Sequence, residues 1–418
     1  LSQLKRLGLP SNEDFYLACC HQVTRHASRI TQAFHRMKIF VSLTYYRPHV
    51  SGLTIYVERL CRALAARGHQ VTVVTAQYDK RLPAREHLQG VEVYRLPIIA
   101  RISKGVLMPL LGTYATRFAL THDIIHLHLP QLDASGIALR GLLFRRPVVL
   151  TYHSDLLLPP TPLNWLAEKV VDTSNNLAAM MADAICAYTE DFAKHSRLLS
   201  RYLPKVHVIP PPVEIPEPQP AAVQTFKERY HLNGTGPVIG LAFRLAAEKG
   251  IEYLLDAMPK ITERYPQVRI LHAGPREAIG ESAYARRLAP LIEKYGERYT
   301  FVGTLTPEEM AVFFRCCDVH VLPSINSTET FGLVQVEAAL CGTPSVASAL
   351  PGVRMATKMT GMGLTVPPKD SQALAEAICE VLARRAEYVR PRAPIAEQFS
   401  PATTARRYEE LFESLLRK

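Results

Sequence analysis

The chain contains no C-x-x-C motif. Its eight cysteines are scattered over 418 residues, with adjacent pairs only at Cys19-Cys20 and Cys316-Cys317. That spacing excludes the common zinc frameworks and argues for reduced core thiols rather than a disulfide scaffold. No apolar run reaches the length of a membrane span. No stretch joins a charged head, an apolar middle and a small-residue cleavage site as a signal peptide does. Tryptophan occurs once, at Trp165. Basic tails are missing too: Lys and Arg are spread without interleaved aromatics, which weighs against nucleic acid as a partner. A cytosolic protein is the expectation.

What is present is a globular composition, 48% hydrophobic and 21% charged, enough for two sizeable cores. The net charge of +11 suits an anionic substrate or an anionic membrane surface. From Met37 onward, short β-branched runs alternate with longer helical stretches. Strands are expected at 38–42, 71–75, 91–96, 124–128, 148–152, 184–188 and 206–209, apolar on both faces as covered parallel strands are. Between the first two, Val57, Leu60, Cys61, Leu64 and Ala65 form one helical stripe that ends at Gly68.

"IPPPVEIPEPQP" then places six prolines between Pro210 and Pro220, a stiff linker. The alternation restarts with strands at 238–242, 268–273, 299–303, 319–323, 344–348 and 363–366. The expectation is therefore α/β, two doubly wound sheets facing a central cleft, with ligands at the carboxyl ends of the strands. The domains read as 37–212, 213–400 and a terminal helix over 401–418 that returns to the first domain. Residues 1–36 read as an extension ahead of the fold, with an amphipathic helix around "TRHASRITQAFHR" as the alternative.

Several residues fall at strand ends. Ser51-Gly52 precedes a helix that Thr54 could cap, and a glycine there lets backbone amides approach an anion; the plainer reading is a turn glycine. His153 ends the fifth strand in "TYHSD". His126 and His128 share one strand face, but no acid or cysteine has supporting metal-ligand spacing, so no metal is expected. In "LAFRLAAEKG", Arg244 and Lys249 straddle a turn, where two cations would neutralise a diphosphate; alone they would pass as solvated charges. In "STETFGLVQVEAALCGTP", Glu329 precedes a helix and Glu337 lies within it among apolar residues. Amides at Gly332 and Leu333 suit a phosphate. Carboxylates suit sugar and ribose hydroxyls, and an acid among core residues is costly without such a partner. A structural carboxylate bonded to backbone is the alternative for Glu337.

Together these stretches, with "GHQVTVVT", "KVHVIPPPVE" and "FVGTLTPEEM", resemble the retaining glycosyltransferases of family 4, which have the two-domain GT-B fold. The likeness runs from Met37 to Lys418. It implies that Arg244 and Lys249 hold the diphosphate of a nucleotide sugar, helped by backbone at Gly52, Phe331, Gly332 and Leu333. It implies that Glu329 meets the sugar, that Glu337 meets the ribose, and that backbone at Val302, Gly303 and Thr304 lies by the base. His153 would contact the sugar from the opposite domain. The catalytic set is then His153, Glu329, Arg244 and Lys249, with no cofactor. Departures from the family pattern are Ser51 in place of a glycine, Phe243 before Arg244, and Pro211-Pro212 after the seventh strand.

The implied reaction moves a hexose (glucose, mannose or N-acetylglucosamine) from a UDP- or GDP-sugar to a hydroxyl of a glycan, glycolipid or small molecule, with retention. No D-x-D occurs, so metal independence is expected. A nucleotide-sugar 2-epimerase and a non-catalytic sugar-nucleotide binder are the rivals. The stretches "RISKGVLMPLLGTYATRF" and "LRGLLFRRP" and the region of Trp165 mix cations with apolar residues. They admit peripheral binding to an anionic membrane and a lipid-linked acceptor, or buried helices with basic edges.

Overall fold

The computed structural model describes residues 36–102, 105–157, 161–234, 236–276 and 282–417. The extension expected over 1–36 lies outside these residues except for Arg36. Lys38 to Lys418 form one compact unit.

The first half runs β1 (Lys38–Ser42), α1 (Gly52–Ala66), β2 (Gln70–Ala76), β3 (Arg85–Leu88), β4 (Val91–Leu96), the hairpin β5 (Ala100–Ile102) and β6 (Gly105–Leu107), α2 (Leu111–Thr121), β7 (Ile124–Leu129), α3 (Ala134–Leu143), β8 (Val148–Tyr152), α4 (Pro162–Met181), β9 (Ala184–Ala187), α5 (Glu190–His195) and β10 (Val206–Val208). Its sheet has the order β10-β9-β8-β7-β1-β2-β4-β3. The pairs are parallel except β3 on β4.

The second half follows the proline linker with α6 (Pro220–Arg229), β11 (Val238–Ala242), α7 (Ile251–Arg264), β12 (Arg269–Ala273), α8 (Ser282–Glu293), β13 (Tyr299–Gly303), α9 (Pro307–Cys316), β14 (Val319–Leu322), α10 (Leu333–Leu340), β15 (Ser345–Ser348), α11 (Val353–Thr360), β16 (Gly363–Val366), α12 (Ser371–Ala383), α13 (Arg385–Tyr388), α14 (Arg392–Phe399) and α15 (Pro401–Leu416). Its sheet is parallel, in the order β13-β12-β11-β14-β15-β16.

Central strands such as β7, β8 and β11 are buried at every position, which is why apolar residues dominate both faces, with His126, His128 and Thr151 as buried polar exceptions. The expectation of two buried faces fails for β10, β13 and β16. All three are edge strands, covered on fewer sides. β3 and the β5–β6 hairpin were not expected, because they are short and carry no apolar run.

Helix α1 is capped by Ser51 rather than by Thr54. The Thr54 amide donates to Ser51 Oγ at 3.2 Å, and the Ser51 amide donates to Thr54 Oγ1 at 2.8 Å. Helix α15 packs on α1. There Tyr408 and Tyr56 share a hydroxyl hydrogen bond of 2.8 Å. Glu409, fully buried, accepts from Arg67 Nε at 2.9 Å and lies 2.9 Å from His69 Nε2. A buried carboxylate needs such partners.

Candidate active site

The site is assembled from loops at the carboxyl ends of parallel strands in both sheets. In the second half two glycines bring these loops together. Gly250 has φ +61°, and a Cβ on it would lie 2.5 Å from both the Pro323 carbonyl and Ile325 Cγ2. Only glycine lets the turn after β11 close onto the loop after β14. The Ile325 amide donates to the Glu248 carbonyl at 3.0 Å across this contact. Gly332 has φ +74°, and its Cβ would meet Leu322 Cδ2 and Gln335 Nε2 at 2.6 Å. It turns the chain from fully buried Phe331 into α10.

This closure carries Lys249 to Glu329, with Nζ to Oε2 at 2.5 Å and both side chains 17% exposed. Arg244 pairs with Glu248 one turn away. Phe243 is buried beside this pair. Its ring packs against His272 at 5.2 Å and lies under the Lys249 ammonium at 5.7 Å. Glu337 projects from α10 and accepts from Arg59 Nη2, on α1 of the first half, at 3.0 Å. Both acids, whose partners were expected to be sugar and ribose hydroxyls, have partners within the protein. Each acid has a cation, one local and one from across the cleft, which offsets its desolvation.

His153 also differs from expectation. Its ring turns into the first half's core, with Nε2 2.9 Å from His128 Nδ1 and Nδ1 hydrogen-bonded to the Tyr188 hydroxyl. Tyr56 stands edge-on at 4.9 Å. What reaches the second half is the His153 carbonyl, which accepts from Thr330 Oγ1 at 2.6 Å. Burial pushes the imidazole down to about 3, so it stays neutral at ordinary pH. His126 is likewise pushed down to about 3, and the pKa of His128 lies well below the usual value. Among the described residues no group of three or more His, Cys, Asp or Glu could hold a metal ion.

Gly52 is the exposed first residue of α1, and nothing lies within 4 Å of where its Cβ would be. Val302 and Gly303 end the edge strand β13, and Thr304 follows it. There the Gly303 carbonyl is taken by the Gly274 amide at 2.8 Å.

Sequence reading missed the groups that join the halves. Asp191 Oδ2 accepts from Arg354 Nε at 2.9 Å and from the Gly352 amide at 2.8 Å, and its Oδ1 accepts from Arg354 Nη2 at 2.5 Å. Tyr188 meets Phe331 at 6.1 Å between ring centres. Thr330 sits inside the stretch singled out around Glu329, so its position was visible and its partner was not. Arg59 and Asp191 look like ordinary outward charges on helices.

Residues 51–212 match a family model described as a glycosyl transferase 4-like domain, and residues 236–384 match glycosyl transferases group 1. The D-inositol 3-phosphate glycosyltransferase of Xylanimonas cellulosilytica is 29% identical over 361 residues, covering 79% of this chain and 83% of that protein. The O-antigen chain mannosyltransferase C of Escherichia coli is 26% identical over 345 residues, covering 82% and 88%. Among solved structures, sucrose-phosphate synthase from Thermosynechococcus elongatus has a TM-score of 0.71 at 24% identity, covering 91% of this chain and all (100%) of that one. HepE of Anabaena, in complex with UDP-glucose, has a TM-score of 0.71 at 22% identity, covering 91% and 100%.

Proposed function

The chain belongs to the group 1 glycosyltransferases, of the GT4 type with the GT-B fold, and from that premise we propose that it transfers a hexose from a UDP- or GDP-sugar to an acceptor hydroxyl with retention and without a metal. The observation that supports this reading is the ion pair of Lys249 with Glu329, the residue next to Thr330, whose hydroxyl donates to the His153 carbonyl of the opposite half. Arg244 and Lys249 would take the diphosphate and stabilise the charge that grows on it as the glycosidic bond breaks. Glu329 would accept from sugar hydroxyls and Glu337 from the ribose. His153, held neutral by burial, would serve through its carbonyl and not as a general base. The acceptor hydroxyl would attack on the face from which the leaving group departs, passing its proton to a phosphate oxygen.

A lipid-linked acceptor and an anionic membrane surface belong to the same proposal. Helices α3 and α4 pack on each other, and their outer sides expose Leu142, Leu143, Leu163, Leu166, Met180 and Trp165, the last 63% exposed. Arg145 and Lys169 are exposed beside them. The acids of α4, Glu168 and Asp172, are drawn to Arg197 at 3.3 and 3.9 Å. An apolar face bordered by cations complements anionic lipid. No helix among the described residues is long and apolar enough to cross a membrane.

The test of the reaction is proton NMR of the products formed from UDP- and GDP-sugars, with EDTA and with excess magnesium. Transfer with the donor's anomeric configuration, unchanged by EDTA, supports the reading. An inverted product, a metal requirement, or a 2-epimer formed without acceptor overturns it. For the surface, phosphatidylglycerol vesicles should retain the protein at low salt more than phosphatidylcholine vesicles, and Trp165→Glu with Leu166→Glu should abolish this. No retention at low salt refutes the surface.

A further inference from the structure

Arg59 does more than neutralise Glu337. Its Nη2 donates to Glu337 Oε1 at 3.0 Å and to the Glu214 carbonyl at 2.8 Å, and its Nη1 donates to the Pro212 carbonyl at 3.3 Å. One guanidinium from α1 thus holds α10 of the second half and two carbonyls of the proline linker. The pair is shielded, with Arg59 11% and Glu337 14% exposed. The linker is gripped from the other half as well, where Arg392 Nη2 donates to the Ile215 carbonyl at 2.6 Å. Pro212, Glu214 and Ile215 are therefore fixed between an arginine from each half.

A carboxylate has two oxygens and about four acceptor positions. Arg59 uses one oxygen of Glu337, and among the described residues no hydrogen bond is recorded on Oε2. The carboxylate can keep its cation and still accept from a hydroxyl. An ionised acceptor makes a shorter and stronger hydrogen bond than a neutral one, and a neighbouring guanidinium holds the carboxylate in one orientation.

We propose that Arg59 is a positioning residue for the nucleoside ribose. It presents Glu337 Oε2, charged and oriented, to a ribose hydroxyl, and by holding the linker carbonyls with the same guanidinium it makes ribose binding depend on the position of the linker between the two halves. This rests on the reading that Glu337 meets the ribose. The rival arrangement is a block, in which Arg59 occupies the place of the ribose and must leave.

The test compares UDP and GDP with their 2′-deoxy and 3′-deoxy counterparts by titration calorimetry. It uses the wild-type chain, Arg59→Ala, Arg59→Lys and Glu337→Gln, with melting temperatures as the check on folding. The wild type should prefer the ribonucleotide about tenfold over at least one deoxy form. Arg59→Ala and Glu337→Gln should each bring that ratio to within about twofold of unity, and Arg59→Lys should fall between. If Arg59→Ala weakens ribo and deoxy forms equally, its role is structural and the proposal is overturned. If it tightens ribonucleotide binding, Arg59 is a block and the proposal is overturned. If the wild type does not distinguish the sugars, the ribose reading of Glu337 falls, and the inference falls with it. Arg59→Lys keeps a cation at the hinge, so a failure of Arg59→Ala to fold still leaves a decisive comparison.

Discussion

Removing the charge of Glu329 should tighten binding of a bare nucleotide while slowing transfer. Lys249 Nζ lies 2.5 Å from Glu329 Oε2 and neither is much exposed. A diphosphate that recruits Lys249 must loosen that pair. A hydrogen bond between charged groups contributes about 1.5–3 kcal/mol. Glu329→Gln keeps a weaker contact but removes the competing charge. About half of that, ~0.8–1.5 kcal/mol, then returns to the nucleotide as roughly four- to tenfold tighter binding. Transfer should fall about tenfold or more, because the carboxylate proposed to meet the sugar hydroxyls is gone. Lys249→Ala should move the other way, weakening the nucleotide about tenfold. It should also destabilise the fold by ~1–3 kcal/mol, since Glu329 is left shielded and unpaired. The double variant should be less destabilised than the sum of the two. Calorimetry with UDP and GDP, urea unfolding and nucleotide release supply the three readouts. Tighter binding by Glu329→Gln is the deciding sign. If that variant weakens the bare nucleotide as Lys249→Ala does, the two groups do not compete.

Acid should unfold the protein early. Burial lowers the pKa of His122 and His272 to about 4, and of His126, His153 and His320 to about 3. The unfolded chain takes up protons below about pH 6.5 and the folded one does not. Stability is therefore lost as pH falls, by ~1.4 kcal/mol per pH unit for each such histidine until its folded pKa is reached. A melting temperature that stays flat from pH 7.5 to 5 would refute this burial. Asp191→Ala should cost ~1–3 kcal/mol in urea unfolding and lower turnover, because one carboxylate holds both Arg354 and the Gly352 amide; turnover equal to wild type would show that this bridge does not hold the catalytic arrangement. Thr330→Val keeps the shape but leaves the His153 carbonyl without its donor. Its kcat should fall while nucleotide affinity stays unchanged, and a change confined to affinity would contradict the geometry.

The fold was largely legible because central parallel strands must be apolar on both faces. The runs at Lys38–Ser42, Val148–Tyr152 and Val238–Ala242 coincide with strands end to end. Edge elements were not legible in the same way. β3 is a short amphipathic segment with no core to fill on one side. At the site, the grouping of Lys249 and Glu329 could be anticipated from two loops at adjacent strand ends. The partner of Glu337 could not. Arg59 lies 278 residues away, on the half-exposed side of a helix, where a cation normally reads as solvated. His153 was legible as a strand-end residue, but the direction of its ring depends on Tyr188 and His128, which no spacing rule connects to it.

The most direct test of the account is a thermal-shift titration with UDP- and GDP-sugars, run on the wild type, Arg244→Ala and Lys249→Ala. A ligand at about a hundred times its Kd adds ~2.7 kcal/mol to stability. The account predicts a clear upward shift with one nucleotide class, lost in both variants. No shift with any nucleotide sugar in the wild type, or a shift that survives both substitutions, would contradict it.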